Sequence, residues 1–140
     1  MAICFYNEDV DLPELNYEII QAWLGEVIFS YSKLPGKISV IFCSDNYILK
    51  INRDFLKHDY FTDIITFNYS TKKSISGDLF ISLDTVNSNA VFFKSNSELL
   101  RVIVHGVLHL LGLDDKLDEE ILLMRDSENY WLEKYISIAT

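Results

Sequence analysis

Residues 98–115, ELLRVIVHGVLHLLGLDD, carry the clearest structural pattern in this sequence. Residues 98–111 are apolar on almost every side of the helix that they predict, which is typical of a helix buried at the centre of a domain. Gly112 ends that helix, because glycine readily adopts the left-handed conformation. Upstream, Ser95 and Glu98 have the spacing of a capping box that begins it. We therefore expect one central buried helix here.

Two histidines, His105 and His109, lie four residues apart on this predicted helix. At 3.6 residues per turn they project from the same face, so both imidazoles can reach one metal ion. Asp115 follows the glycine and can return as a third ligand, which leaves one position for water. A single histidine in an apolar helix is more often a hydrogen-bonded core residue. Two at this spacing before an acid favour a metal site, because buried polar rings without a role cost stability.

The rest of the chain shows both helical and strand-like patterns. Predicted strands are 2–6, 37–43, 64–69 and 79–83, and predicted helices are 15–32, 45–56, 85–93 and one that begins near 118. Pro35-Gly36 predicts a turn, Ser44 a helix cap, and 72–76 the polar turn of a hairpin. We expect one α/β (α+β) domain over residues 1–140, with a small mixed four-stranded sheet and the metal site on the central helix.

The chain has 140 residues and a net charge of −9. That length fits one domain with a sizeable core. Cys4 and Cys43 lie in apolar runs and not in a Cys-x-x-Cys pair, which indicates core thiols in a reducing compartment. The N-terminus lacks a signal-peptide pattern and no apolar run reaches membrane-spanning length, so we expect a cytoplasmic protein. Proteins that bind nucleic-acid phosphates are usually basic, so this chain would need a local basic patch or a partner.

The spacing His-x3-His-x2-Gly-x2-Asp is similar to that of metzincin-type proteases. In those enzymes a glutamate directly after the first histidine is the base that activates water. Gly106 occupies that position here. The protease machinery is therefore incomplete, although the metal-binding spacing is kept.

Several blocks of this sequence resemble the YbeY family of bacterial endoribonucleases. Residues 105–115, HGVLHLLGLDD, are similar to the family's His-Gly-x-Leu-His-Leu-x-Gly-Tyr-Asp-His signature. Residues 62–67, TDIITF, and 77–82, GDLFIS, resemble its Thr-Asp-Val-Leu-Ser-Phe and Gly-Asp-Ile-x-Ile-Ser strands. Residues 51–52, Ile-Asn, are a partial match. The resemblance covers residues 38–125, and the blocks follow in the family's order.

The resemblance implies a single α/β domain that binds one zinc ion through three histidines. It also implies a single-strand-specific endoribonuclease that acts in maturation of the 3′ end of the small-subunit ribosomal RNA and in ribosome quality control. The expected partners are RNA and the small ribosomal subunit, with neither DNA nor a membrane. Zn²⁺ is the expected cofactor, and another divalent transition metal is the alternative.

The sequence departs from the family pattern at two positions. The family's third histidine falls on Asp115, which we predict as the third metal ligand, with Asp114 as a rival. A carboxylate can ligate zinc, but it makes the site less positive and makes manganese or iron a closer competitor. The family's arginine falls on Leu56, where Lys57 or His58 is the nearest substitute.

Lys57 and Asp63 are the predicted catalytic residues. A cation at Lys57, or at Arg53, would neutralise charge that develops on the phosphoryl group. Asp63 precedes a strand that would border the cleft, where it either orients a histidine or only ends a loop. Water activated by the ion or the RNA 2′-hydroxyl is the nucleophile, and the sequence leaves both open.

Other charged residues have a structural explanation beside the functional one. Lys50, Arg53 and Lys57 share one helix face, which either follows phosphates or is simply solvated. The pair 72–73, Lys-Lys, is a hairpin tip or an RNA contact. Glu98 is a distant base or the acid of the capping box.

Two other classes of function stay open at this point. A metallopeptidase would use the same histidines, although Gly106 argues against it. A ribosome-assembly factor without catalysis, whose metal site is weak or structural, would explain the replaced histidine and the missing arginine. A two-histidine-one-carboxylate iron oxygenase is a more remote class, because its ligands normally lie on a β scaffold and not on a helix.

Overall fold

The computed structural model describes residues 2–58, 62–93 and 97–140, and this part of the chain contains five helices and four strands. In chain order they are β1 (Ile3–Asn7), α1 (Tyr17–Ser30), β2 (Leu34–Cys43), α2 (Asp45–Leu56), β3 (Ile64–Asn68), β4 (Ser74–Ser82), α3 (Leu83–Phe93), α4 (Glu98–Leu110) and α5 (Asp118–Ala139). The helices cover a mixed four-stranded sheet. The predicted α+β fold is therefore confirmed.

The sheet has the strand order β1-β2-β4-β3. β1, β2 and β4 run parallel, whereas β3 pairs antiparallel with β4 and forms the predicted hairpin. The hairpin register pairs Ile64 with Ile81 and Asn68 with Gly77. β3 is an edge strand, and its residues border the cleft that contains the candidate site.

The two faces of the sheet are covered by different helices, because side chains alternate between the faces along each strand. One face packs against α1 and α4 in the larger core, which includes Leu79, and α5 packs against these two helices. α2 covers the other face through a smaller cluster around Ile48 and Ile65. The indole N–H of Trp23 donates to the Trp131 carbonyl oxygen at 2.7 Å and so ties α1 to α5.

The central helix α4 is buried, as predicted, with seven of its 13 residues in the core. Gly106 lies against the sheet, where a Cβ would stand 2.7 Å from Ile64 Cδ1 and 3.0 Å from Leu79 Cδ1. Glycine therefore allows α4 to approach β3 and β4 closely. Gly112 follows the helix with a φ of +102°, the left-handed conformation that the sequence predicts.

The two predicted helix caps have different outcomes. Ser44 caps α2, because its Oγ accepts from the Tyr47 amide at 3.2 Å. Ser95, predicted to cap the central helix, lies outside the described residues. α4 begins at Glu98, as predicted, with Ser97 in the N-cap position.

Two predicted turns are wrong in their bounds. Pro35 and Gly36 belong to β2, whose pairing with β4 is irregular at this point. The irregularity accommodates both residues, and a Cβ at Gly36 would clash with Ser76 Oγ on the neighbouring strand. β4 begins at Ser74, inside the predicted polar turn, because its serines alternate with the buried Ile75. Alternation of this kind is a strand pattern even when half of it is polar.

No helix in the described part of the chain combines the length and the apolar character needed to span a bilayer. Cys43 is buried on β2, where burial first, and nearby carboxylates second, raise the pKa of its thiol to about 12. This thiol is therefore protonated and unreactive at neutral pH, as expected for a core cysteine.

Candidate metal centre

Two imidazole rings lie side by side on α4. The ring centroids of His105 and His109 are 4.6 Å apart, and their Nε2 atoms are 3.0 Å apart. Both residues are half-buried and line a cleft. Two nitrogen lone pairs at this distance repel each other unless a proton or a cation lies between them. The pair is therefore arranged to share a positively charged partner.

The chain beyond α4 brings an aspartate to the two histidines. Gly112 turns the chain back at the end of the helix. Asp115 Oδ2 then lies 3.4 Å from His105 Nε2 and 3.5 Å from His109 Nε2. Asp114, the rival ligand, is exposed and does not belong to this group of three. The three predicted metal ligands are therefore brought together.

The three ligand atoms form a triangle that fits one metal ion. Its edges measure 3.0, 3.4 and 3.5 Å. Nitrogen and oxygen ligands at about 2.0–2.1 Å from a tetrahedral ion stand about 3.3–3.4 Å from one another. Small side-chain adjustments would therefore suffice to bind an ion and leave a fourth position for another ligand. Among the described residues this is the single group of three such ligands.

A buried acid on α5 contacts the other ring nitrogen of His105. Glu128 is only 4% exposed, and its Oε2 lies 2.5 Å from His105 Nδ1. Arg101 Nη1 donates to the second carboxylate oxygen of Glu128 at 2.9 Å. Because an ionised carboxylate can only accept, the Nδ1–H of His105 is the donor in this pair.

These contacts shift the pKa values of the two partners in opposite directions. Burial lowers the pKa of His105, but the hydrogen bond to Glu128 and the surrounding carboxylate charges outweigh it and raise the pKa above its ordinary value. Burial raises the pKa of Glu128, but the hydrogen bonds from His105 and Arg101 outweigh it and lower the pKa. Without a metal, the pair is therefore a charge-assisted hydrogen bond.

Sequence reasoning missed Glu128, although the sequence contains a signal for it. Met124, Trp131 and Leu132 define the buried face of α5, and Glu128 lies on the same face. An acid on an otherwise apolar face indicates a buried partner. That partner is 23 residues away along the chain, so local spacing does not reveal it.

The triangle of candidate ligands opens into a cleft of about 470 Å³. Asp63, a predicted catalytic residue, lines this cleft and also a smaller cavity that Arg101 and Glu128 border. Burial raises the pKa of Asp63, and the nearby charge of His105 opposes only part of that rise. A carboxyl group with a raised pKa next to metal ligands is suited to proton transfer at a less acidic pH.

The end of α2 forms another part of the cleft wall. Leu56 and His58 belong to the described lining of the cleft, whereas Lys57 does not. Lys57 is exposed, and its Nζ lies 3.5 Å from the Asp54 carbonyl oxygen. Asn52 is 1% exposed and also lines the cleft. A catalytic role for Lys57 therefore stays a prediction without support from its position.

The remaining charged candidates do not line this cleft as the structure describes it. Lys50 and Arg53 are exposed on α2, and residues 72–73 are exposed between β3 and β4. Glu98 begins α4 and lines the smaller cavity together with Arg101. Their functional interpretations stay open.

The sequence was compared with models of known protein families and with known proteins. A family model described as Endoribonuclease YbeY matches residues 3–136. The chain belongs to the YbeY family. The endoribonuclease YbeY of Parabacteroides distasonis is 51% identical over 92% of this chain and 92% of that protein. The endoribonuclease YbeY of Porphyromonas gingivalis is 50% identical over 90% of this chain and 85% of that protein.

A solved structure agrees with the fold of this YbeY-family protein. The solution structure of a Thermotoga maritima protein matches it with a TM-score of 0.65 at 24% identity. The match covers 95% of this chain and 88% of that chain. At this identity the likeness supports the fold and carries no argument about activity.

The two departures from the YbeY pattern both lie at the cleft. Asp115 stands where the resemblance implies a third histidine, and its carboxylate completes the ligand triangle. Leu56 stands where the resemblance implies an arginine, and its side chain lines the cleft. The family prediction is confirmed, and His105, His109 and Asp115 form a group that could hold a metal ion.

Proposed function

We propose that this YbeY-family protein is a metal-dependent endoribonuclease that cleaves single-stranded RNA. The observation that carries the proposal is the triangle of His105, His109 and Asp115 on the wall of a cleft. The name of its relatives, endoribonuclease, supports RNA as the substrate. In this proposal, residues 1–140 act as one hydrolase domain.

Zinc is the proposed metal. Two imidazoles and one carboxylate, with a fourth position left open, are a usual ligand set for catalytic zinc. Manganese or iron is the alternative, because the carboxylate makes the set harder. A bound ion would lower the pKa of a water molecule and polarise a phosphoryl oxygen.

Asp63 and Lys57 have different proposed roles. Asp63 lines the cleft, and burial raises its pKa, so we assign it the transfer of a proton during cleavage. Lys57 is exposed between two residues that line the cleft, so we assign it a contact with an RNA phosphate beside the cleft. This contact would be electrostatic and sensitive to salt.

Single-stranded RNA in a ribosomal context is the proposed substrate. A cleft of about 470 Å³ has the size of a small-ligand site and suits one or two unstacked nucleotides better than a duplex. With a net charge of −9, the protein would bind phosphates weakly, so we propose that the small ribosomal subunit presents the RNA. The family resemblance supports maturation of the 3′ end of the small-subunit RNA, ribosome quality control and a cytoplasmic location.

Cleavage of a fluorescent single-stranded RNA tests this proposal. Protein treated with a chelator should be inactive and should recover when zinc is restored. A duplex of the same sequence and the corresponding DNA strand should stay intact. Asp115→Ala should abolish cleavage, whereas the matched control Asp114→Ala should not, because Asp114 is exposed and outside the ligand group.

Two other outcomes of these assays would support a different function. Zinc-dependent cleavage of a peptide without cleavage of RNA would support a metallopeptidase. No cleavage of either substrate, together with tight binding to the small subunit by a variant without His105 and His109, would support a non-catalytic assembly factor.

A further inference from the structure

Glu128 is a buried carboxylate whose two oxygens contact different partners. Oε2 lies 2.5 Å from His105 Nδ1, and Oε1 accepts from Arg101 Nη1 at 2.9 Å. Arg101 Nη2 donates in turn to Asn129 Oδ1 at 2.8 Å. The guanidinium thus uses both terminal nitrogens to hold two neighbouring residues of α5. The carboxylate cannot rotate without losing a charge-assisted hydrogen bond.

If Glu128 only filled space in the core, its burial would cost more free energy than that of an apolar residue. Glu128 is 4% exposed and shares a helix face with Met124 and Trp131, where an apolar residue would pack without desolvating a charge. An ion pair with Arg101 alone would not require the second oxygen to contact a histidine. The ion pair with Arg101 therefore does not explain the contact of Glu128 with His105.

The hydrogen bond of Nδ1 determines whether the other ring nitrogen, Nε2, carries a proton or a lone pair. When the Nδ1–H of His105 donates to a carboxylate, the lone pair of a neutral imidazole lies on Nε2. Nε2 is the atom that faces His109 Nε2 at 3.0 Å and Asp115 Oδ2 at 3.4 Å. The hydrogen bond also restrains rotation of the ring, since its donor and acceptor belong to different helices.

We propose that Glu128, held in place by Arg101, is a positioning residue that fixes the tautomer and direction of His105 so that Nε2 is presented to the metal ion. The inference deepens the proposed function and rests on the metal site proposed there. It adds α5, which contributes none of the three ligands, to the machinery that binds the metal. Metal binding and the docking of α5 on α4 are then linked through one hydrogen bond.

Zinc affinity tests this inference without any RNA assay. The full-length protein is compared with Glu128→Ala, Glu128→Gln and the control Glu133→Gln, which removes the same charge from an exposed position on α5. Zinc dissociation constants come from competition with a chromogenic chelator. The Kd should rise about tenfold or more in Glu128→Ala. It should rise less in Glu128→Gln, whose amide oxygen still accepts from Nδ1–H, and should not change in Glu133→Gln.

Two further readouts separate positioning from folding. The absorption spectrum of the Co²⁺-substituted protein reports ligand geometry and should change in Glu128→Ala. Thermal unfolding of the chelator-treated variants reports the structural contribution of the ion pair. An unchanged zinc Kd and Co²⁺ spectrum in Glu128→Ala would overturn the proposal, even if its Tm fell.

The experiment stays decisive if a variant does not fold or if the unmodified protein binds no zinc. If Glu128→Ala does not fold, Glu128→Leu decides, because leucine is similar in size but cannot accept from Nδ1–H. A Kd equal to that of the unmodified protein then overturns the inference, and a raised Kd supports it. If the unmodified protein itself binds no zinc, the metal site and the inference built on it both fall. Zinc binding that is indifferent to Glu128 overturns this inference alone and leaves the proposed function standing.

Discussion

Replacing Gly106 by alanine should disturb the contact between α4 and the hairpin that borders the metal cleft. A Cβ at this position would stand 2.7 Å from Ile64 Cδ1, and 3.0 and 3.1 Å from the two terminal methyl groups of Leu79. Non-bonded carbon atoms are best separated by about 3.5–4.0 Å. Leu79 is fully buried in the core, whereas Ile64 lines the cleft and can shift into it.

Two opposing contributions determine the size of the effect. Alanine in a helix interior is more stable than glycine by about 0.8–1.0 kcal/mol. Overpacking a closed core costs about 1–3 kcal/mol. The free energy of unfolding of Gly106→Ala should therefore fall by up to about 2 kcal/mol.

Gly25→Ala is the matched control for this substitution. Gly25 also lies in a helix interior, in α1, but a Cβ there would meet nothing within 4 Å. This variant should gain about 1 kcal/mol of stability. Urea unfolding of the chelator-treated proteins measures both, and the two variants should differ by about 1–3 kcal/mol. If Gly106→Ala were as stabilising as Gly25→Ala, the close packing of α4 on the hairpin would be refuted.

Three further substitutions probe the cleft. The folded-state pKa of Asp63 is raised above its ordinary 3.8, so the ionised carboxylate lowers the stability of the folded protein. Asp63→Asn should therefore raise the Tm of chelator-treated protein at about pH 7. It should give no gain at about pH 3, where the carboxyl group is protonated in the folded and the unfolded protein alike. Leu56→Arg should speed RNA cleavage about tenfold or more in the oligonucleotide assay, because a cation would then line the cleft. Asp115→His should shift competitive metal loading from manganese toward zinc, and unchanged loading would contradict the ligand assignment.

That His105, His109 and Asp115 come together could be predicted, because the three residues are close in the sequence. The helical period alone places His105 above His109. Gly112 adopts the left-handed conformation that turns the chain, and this brings Asp115 back to the pair. The structure was needed to choose between Asp115 and Asp114, because a shift of one residue in the turn would decide which of the two side chains faces the histidines.

Contacts between distant segments could not be predicted in the same way. Glu128 reaches His105 from another helix, and nothing in the local spacing of α5 identifies its partner. The charge of Lys57 next to Leu56 predicts a catalytic cation, but Leu56 and His58, and not Lys57, belong to the described wall of the cleft. Pro35 reads as a turn residue, yet pairing with β4 keeps it within a strand.

The metal site is tested most directly by the metal content of the purified protein, measured by elemental analysis beside a His109→Ala variant. His109 provides one of the three ligand atoms, and its loss would leave two, which is too few for a stable site. We expect about one equivalent of zinc in the unmodified protein and little or none in a folded His109→Ala variant. No bound metal in either protein, even after zinc is added, would contradict the proposed metal site.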